Sequence, residues 1–127
     1  MKALERRLLL GTNYYAVKNK PSIETPIHIG KSSYGWLFSF QTQHDSWREV
    51  PVVWTTYDEV VDWLNKHVEE KKEYVIINEY DEIISFNDFL DMIEANYHDE
   101  NNLNNPDNFQ YCRKDPNGYR FCDGEFS

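Results

Sequence analysis

The sequence predicts a single α+β domain, an antiparallel sheet of about five or six strands with two amphipathic helices on one face and a C-terminal hairpin. Three observations lead to this fold class. The 127 residues suffice for one domain, spanning 1–127, and not for two ordinary ones. Aromatic residues make up 16% of the chain, which supplies a packed core and excludes a disordered tail. Strand-like segments are interspersed with two helical patterns, and no internal repeat is present.

The first part of the chain has the composition of strands. Residues 13–18 and 34–42 are rich in aromatic and branched side chains, which favour extended chain. Residues 26–29 predict a short strand between them, and residues 30–33 have the composition of a turn. Residues 44–54 are ambiguous, because their valines favour a strand whereas a proline restricts that strand to a sheet edge or a loop.

The first helix begins at Thr56. Thr56 and Glu59 have the Thr-x-x-Glu spacing of a capping box, in which each side chain satisfies a free backbone donor of the other residue. Apolar residues then recur at helical spacing until a charged segment, 69–72, ends the helix. Residues 74–78 predict a strand, and we expect residues 81–84 to pair back onto it across a tight turn.

Ser85 is a good N-cap for a second helix, which we expect to run from residue 86 to about residue 97. Asp88, Asp91 and Glu94 fall on one side of this helix and are expected to point to solvent. The opposite side is an apolar stripe that predicts the core-facing surface: Phe86, Phe89, Leu90, Ile93 and Tyr97. Residues 98–108 are rich in asparagine and predict a loop.

The segment Asp-Pro-Asn-Gly-Tyr at 115–119 predicts a three-residue hairpin loop with a bulge. The register of this loop places Cys112 directly opposite Cys122, so that a cross-strand disulfide is geometrically reachable. In a reducing cytosol we expect two reduced thiols, and the disulfide is the alternative.

Charge is distributed unevenly along the chain. Residues 1–56 hold seven basic and four acidic side chains, whereas residues 57–127 hold six basic and 18 acidic ones. Such a surface repels nucleic-acid phosphates, so we expect no direct nucleic-acid binding and instead attraction to a basic protein. No apolar run approaches the ~18 residues of a membrane span, and no membrane partner is expected. The densest stretch contains nine acids and no Lys or Arg: Glu79, Asp81, Glu82, Asp88, Asp91, Glu94, Asp99, Glu100 and Asp107.

The sequence offers no pattern typical of an enzyme. The Gly-Lys-Ser at 30–32 is similar to the end of a phosphate-binding loop, but the glycine required five positions earlier is Thr25. The four histidines have no metal-ligand spacing, and no Cys-x-x-Cys is present. We therefore expect no catalytic residues, no cofactor and no metal.

Three short segments carry a resemblance: Gly-Thr-Asn-Tyr-Tyr at 11–15, His-Ile-Gly-Lys-Ser-Ser-x-Gly-Trp at 28–36, and the terminal Glu-Phe-Ser at 125–127. They resemble a family of small uncharacterised proteins of tailed bacteriophages and prophages. The resemblance implies phage origin, a shared fold and a location in the host cytoplasm. Those proteins begin close to the first segment, so residues 1–10 are a candidate N-terminal extension. They also carry a Cys-x-x-Cys pair before the second segment, which this chain lacks.

Two functional hypotheses follow. The first is a non-catalytic phage accessory protein, a counter-defence inhibitor of the anti-CRISPR kind. Its acidic face would engage a basic, nucleic-acid-binding surface of a host protein, in the manner of a phosphate mimic. The predicted partner-binding residues are Glu79, Asp81, Glu82, Asp88, Asp91, Glu94, Asp99 and Glu100.

The second hypothesis is a nucleotide- or metabolite-binding protein with a pocket around residues 28–36. Lys31 and the two neighbouring hydroxyls would hold a phosphate, and Trp36 would stack on a base. We also expect residues 11–15 and 28–39 to lie side by side in the sheet. The predicted ligand-binding residues are Asn13, His28, Lys31, Ser32, Ser33 and Trp36.

Overall fold

The computed structural model describes residues 11–32, 38–97 and 112–123. In these ranges one seven-stranded sheet and two helices form, which confirms the α+β class. The helices are α1 (Tyr57–Leu64) and α2 (Phe86–Tyr97), and a π-helical segment, Asn65–Glu70, extends α1. The strands are β1 (Thr12–Lys18), β2 (Ile27–Ser32), β3 (Ser39–Gln41), β4 (Tyr74–Asn78), β5 (Ile83–Ile84), β6 (Cys112–Lys114) and β7 (Arg120–Cys122).

The strand order is β5-β4-β1-β2-β3-β7-β6, which corrects the prediction in two respects. The strands number seven instead of five or six, because the C-terminal hairpin joins the edge of the same sheet through β3. The sheet is also not purely antiparallel, because β3 and β7 pair in parallel. A parallel pair needs a long crossover connection, and the chain between β3 and β7 includes both helices.

The prediction of a turn at residues 30–33 is wrong for the part that the structure describes. Gly30 and Lys31 belong to β2, where they pair with β1 on one side and with β3 on the other. Strand partners on both sides override the turn composition of this segment. The predicted strand 34–42 is a strand at Ser39–Gln41, and residues 33–37 lie outside the described ranges.

Both helices pack on the same face of the sheet. Gly30 pairs with Tyr14 on one side and with Phe40 on the other, so Tyr14 and Phe40 lie on the same face of the sheet. The ring of Phe89 in α2 lies 5.5 Å from that of Tyr14, and the ring of Tyr57 in α1 lies 5.7 Å from that of Phe40. The largest fully buried side chains fill the space between sheet and helices: Trp54, Tyr74, Phe40, Phe89 and Phe121.

Side-chain caps begin both helices, as predicted. Thr56 Oγ1 accepts a hydrogen bond from the Glu59 N–H at 3.3 Å. The Glu59 carboxylate accepts from the Thr55 N–H at 3.0 Å, one residue before the position in a standard capping box. This bond from the Thr55 backbone is the main cause of the lowered pKa of Glu59. At α2, Ser85 Oγ accepts from the Asp88 N–H at 3.1 Å.

The hairpin has the predicted register. The Asp115 N–H donates to the Tyr119 carbonyl at 2.8 Å, and Gly118 takes the left-handed conformation with φ 90°. Cys112 lies opposite Cys122, with a Cα–Cα distance of 3.9 Å, and the two form a disulfide. The expectation of two reduced thiols is therefore corrected, because the register brings the two side chains within bonding distance.

The double variant Cys112→Ser/Cys122→Ser is expected to lose less than about 3 kcal/mol of unfolding free energy. The cysteines are 10 residues apart, and cross-linking so short a loop removes little entropy from the unfolded chain. Urea unfolding of the oxidised protein and of the variant measures the difference. A reductant should destabilise the wild type and leave the serine variant unchanged. A loss well above 3 kcal/mol, or none, would contradict this prediction.

Candidate functional site

The pairing of β1 with β2 brings three of the predicted ligand-binding residues together. Asn13 lies directly opposite Lys31. A bulge places one extra residue in β2 between Lys31 and His28, so that the His28 side chain lies on the same face of the sheet as those of Asn13 and Lys31. His28 Nε2 lies 3.0 Å from Asn13 Oδ1, and the His28 ring stacks on Tyr15 with centroids 5.1 Å apart. The prediction that the two motif segments lie side by side in the sheet is confirmed for the residues that the structure describes.

The other predicted ligand-binding residues do not join this group. Ser32 pairs with Thr12 and therefore lies on the opposite face of the sheet from Lys31, because successive strand residues alternate. Ser33 and Trp36 lie outside the described residues. The structure thus assembles Asn13, His28 and Lys31, and it separates Ser32 from them.

The same face carries two further cations that sequence reasoning missed. Lys31 of β2 pairs with Ser39 of β3, and Ser39 pairs with Arg120 of β7. Arg120 in turn pairs with Lys114 of β6. These residues form one row across β2, β3, β7 and β6, on the face opposite the helices. Burial lowers the pKa of Arg120, which is 4% exposed. The parallel pairing of β3 with β7 creates this row, and no local sequence pattern predicts that pairing.

Asn13 connects the two sets of predicted site residues. Its backbone N–H donates to Glu79 Oε1 at 2.8 Å and its Nδ2 to the same oxygen at 3.3 Å, while its Oδ1 faces His28. Asn13 Oδ1 is an acceptor, so this contact assigns the proton of the pair to His28 Nε2. His28, Asn13 and Glu79 are one hydrogen-bonded chain, although the sequence suggested two separate sites.

The predicted acidic residues differ in how they are held. Asp81, Asp88 and Asp91 are exposed, and none of them takes part in an ion pair among the residues described. Glu82 is exposed, and its carboxylate accepts a hydrogen bond from Asn78 Nδ2 at 2.7 Å. We use the term acidic surface for Glu79, Asp81, Glu82, Asp88 and Asp91.

The expectation that Glu94 points to solvent is corrected. Glu94 is half-buried, and its carboxylate accepts a hydrogen bond from the Tyr119 hydroxyl at 2.6 Å. The reason is tertiary, because the C-terminal hairpin reaches the side of α2 that carries this residue. Asp99 and Glu100 lie outside the described residues.

Two large apolar side chains are exposed within the same turn and strand. Tyr80 is 42% exposed and Ile83 is 73% exposed, and both alternate in sequence with Glu79, Asp81 and Glu82. The sequence analysis did not identify these two residues. The position of Tyr80 between two acids in a predicted tight turn could have indicated that Tyr80 is exposed. Protein interfaces typically combine an apolar centre with a polar rim, and this part of the acidic surface has that composition.

Within the described ranges, no helix has the length and apolar character that crossing a membrane requires. The His, Cys, Asp and Glu side chains of these ranges do not gather in any group of three or more that could hold a metal ion. Comparisons with protein-family models, with curated proteins and with solved structures found no match. The resemblance to phage proteins therefore stays a prediction.

Proposed function

We propose that the protein is a non-catalytic binder, a phage accessory protein of the counter-defence, anti-CRISPR-like class. In this proposal it acts in the host cytoplasm, and its acidic surface engages a basic, nucleic-acid-binding surface of a host protein. The observation that carries the proposal is the set of three exposed carboxylates, Asp81, Asp88 and Asp91, which have no cationic partner among the described residues.

Electrostatics support this assignment. The segment from Glu79 to Tyr97 holds six acids and no Lys or Arg, so mutual repulsion lowers the stability of the fold there. A basic partner would remove this repulsion on binding and would be steered toward the surface before contact. The exposed Tyr80 and Ile83 supply apolar area that a merely solvated charged face does not need.

The variant Asp88→Lys/Asp91→Lys is expected to weaken partner binding at least about tenfold. Both residues are exposed on α2, so the reversal turns attraction into repulsion without disturbing the core. The measurement has two stages. Capture from host lysate at about 0.05 M and about 0.5 M salt, with quantitative mass spectrometry, identifies a basic protein held only at low salt. Titration of that purified protein then gives the affinities.

Asp58→Lys/Asp62→Lys is the matched control. These two exposed acids occupy the first turns of α1, as Asp88 and Asp91 do in α2, and their reversal changes the net charge equally. The control should keep the affinity within about twofold of the wild type. Equal affinity of all three proteins for the captured partner, or equal weakening by both reversals, would contradict the acidic-surface proposal.

A second candidate function is supported by the row of polar residues on the face of the sheet opposite the helices. Asn13, His28 and Lys31 lie together there, and the register adds Arg120 and Lys114. This set favours an anionic small molecule such as a nucleotide or a phosphorylated metabolite. If the Asp88→Lys/Asp91→Lys variant binds its partner as well as the wild type does, the result favours this second function over the first.

A further inference from the structure

A cavity of about 460 Å³ lies where β1 ends, and none of its lining residues belongs to the acidic surface or to the polar row. Its volume is within the range of small-molecule sites. Three chain segments line it: the end of β1 with the loop that follows, the loop before Val50, and the connection between the π-helical segment and β4. The lining residues are Lys18, Asn19, Lys20, Pro21, Ser22, Glu49, Lys71, Lys72 and Glu73.

Asn19 holds two of these segments together. Its backbone N–H donates to the Glu73 carbonyl at 2.9 Å, and its Nδ2 donates to the Lys72 carbonyl at 3.1 Å. Lys72 takes a left-handed conformation, φ 55°, which is uncommon for a residue other than glycine. The fold therefore keeps Lys18 and Lys20 beside Lys71 and Lys72 in spite of the repulsion between their charges.

The charges of the lining residues do not cancel. Lys18 Nζ lies 3.2 Å from Glu49 and 3.5 Å from Glu24. Burial lowers the pKa of Lys18, but these two carboxylates outweigh it, and the pKa is raised. The Glu73 carboxylate is 2.8 Å from His67 Nδ1, and the hydrogen bond from His67 lowers its pKa.

The remaining three lysines leave the cavity positive. The side chains of Lys20 and Lys71 are exposed and make no hydrogen bond or ion pair in the described part of the chain, although the charge of Lys71 helps to lower the pKa of Glu73. Lys72 Nζ donates to a neutral acceptor, the Glu69 carbonyl, at 3.2 Å and forms no ion pair with the described residues. A locally positive cavity is unexpected in a chain of net charge -9, where the average field attracts cations.

We propose that this cavity binds a compact chain of phosphate groups, either free polyphosphate or the phosphate end of a nucleotide. Lysine ammonium groups act on phosphate as point charges with three donors each, and several phosphates can use Lys20, Lys71 and Lys72 together. No aromatic residue is among the described residues that line the cavity, so we expect no contribution from base stacking. This site shares no residue with the acidic surface or with the polar row, and its phosphate ligand differs from the basic protein that the acidic surface would bind.

Calorimetric titration of the full chain at about 0.05 M salt, with three probes, tests the proposal. We expect sodium tripolyphosphate to bind, ATP to bind with similar affinity, and adenosine not to bind. Stronger binding of tripolyphosphate than of ATP would favour free polyphosphate as the source, and the reverse would favour a nucleotide. Absence of tripolyphosphate binding, or binding of adenosine, would overturn the proposal.

Lys71→Gln and Lys20→Gln are each expected to weaken tripolyphosphate binding about tenfold, because each removes a charge-assisted contact. Lys66→Gln is the matched control, since Lys66 is also exposed, belongs to the π-helical segment and does not line the cavity. Its affinity should stay within about twofold of the wild type. Equal weakening by Lys66→Gln and Lys71→Gln would show that the loss of any positive charge weakens binding, wherever it lies, and would overturn the site.

Discussion

Asp115→Ala is expected to lower the free energy of unfolding by about 4 kcal/mol. Asp115 is 9% exposed, and its carboxylate accepts hydrogen bonds from three backbone N–H groups. Oδ1 accepts from Asn117 and from Tyr119, both at 2.9 Å, and Oδ2 accepts from Tyr57 at 2.7 Å. Tyr57 is the first residue of α1, so one side chain orders the hairpin loop and also holds the negative charge that a helix N-terminus favours.

Urea unfolding of Asp115→Ala and of Asp123→Ala measures this effect against a matched control. Asp123 is an aspartate of the same hairpin, but its bond to Arg113 at 3.1 Å is exposed, and its loss should cost below about 1 kcal/mol. Asp115→Asn should fall between the two, because it keeps one acceptor oxygen and loses the charge. Similar losses for Asp115→Ala and Asp123→Ala would show that the buried carboxylate does not hold the hairpin to α1.

Gly30→Ala is expected to cost about 3 kcal/mol although it adds only a methyl group. A Cβ atom at Gly30 would meet the Ser39 carbonyl oxygen and the Phe38 ring well inside van der Waals contact. The oxygen belongs to the neighbouring strand β3, so the clash can be relieved only by a backbone shift. The glycine is required by this close approach of two strands, and not by a turn.

Ser32→Ala, in the same strand, is the control for Gly30→Ala. Ser32 is half-buried near the end of β2, and removal of its hydroxyl should cost below about 1 kcal/mol. Thermal and urea unfolding of both variants give the comparison. A Gly30→Ala protein within about 0.5 kcal/mol of the wild type would mean that β2 and β3 are further apart than the structure places them.

The candidate site was predictable only in part. The motifs at 11–15 and 28–36 predicted a common site, because two strand-like segments that share a resemblance are most simply explained by one structural unit. The structure brings Asn13, His28 and Lys31 to one face of the sheet and places Ser32, which was also predicted, on the other. Their link to Glu79 was not predictable, since it depends on the pairing of β1 with β4. The partial burial of Glu94 was not predictable either, because it depends on a hydrogen bond from Tyr119, which lies 25 residues further along the chain.

Several elements of this fold were predictable because the interactions that form them lie within a few residues. Thr56 and Ser85 begin the helices through bonds to residues three positions ahead, and the loop at 115–119 sets the register of Cys112 and Cys122 through its own turn geometry. Such interactions act at short sequence separation in any chain that can form the element.

Other features depend on which segments meet in the folded domain. The parallel pairing of β3 with β7, the strand conformation of Gly30 and the contact of Asp115 with Tyr57 all join residues distant in sequence. No local pattern encodes them, because each arises where separate apolar surfaces bury one another and leave backbone groups to be paired. The cavity formed by Lys18, Lys20, Lys71 and Lys72 has the same origin, since only the folded sheet brings its two lysine segments together.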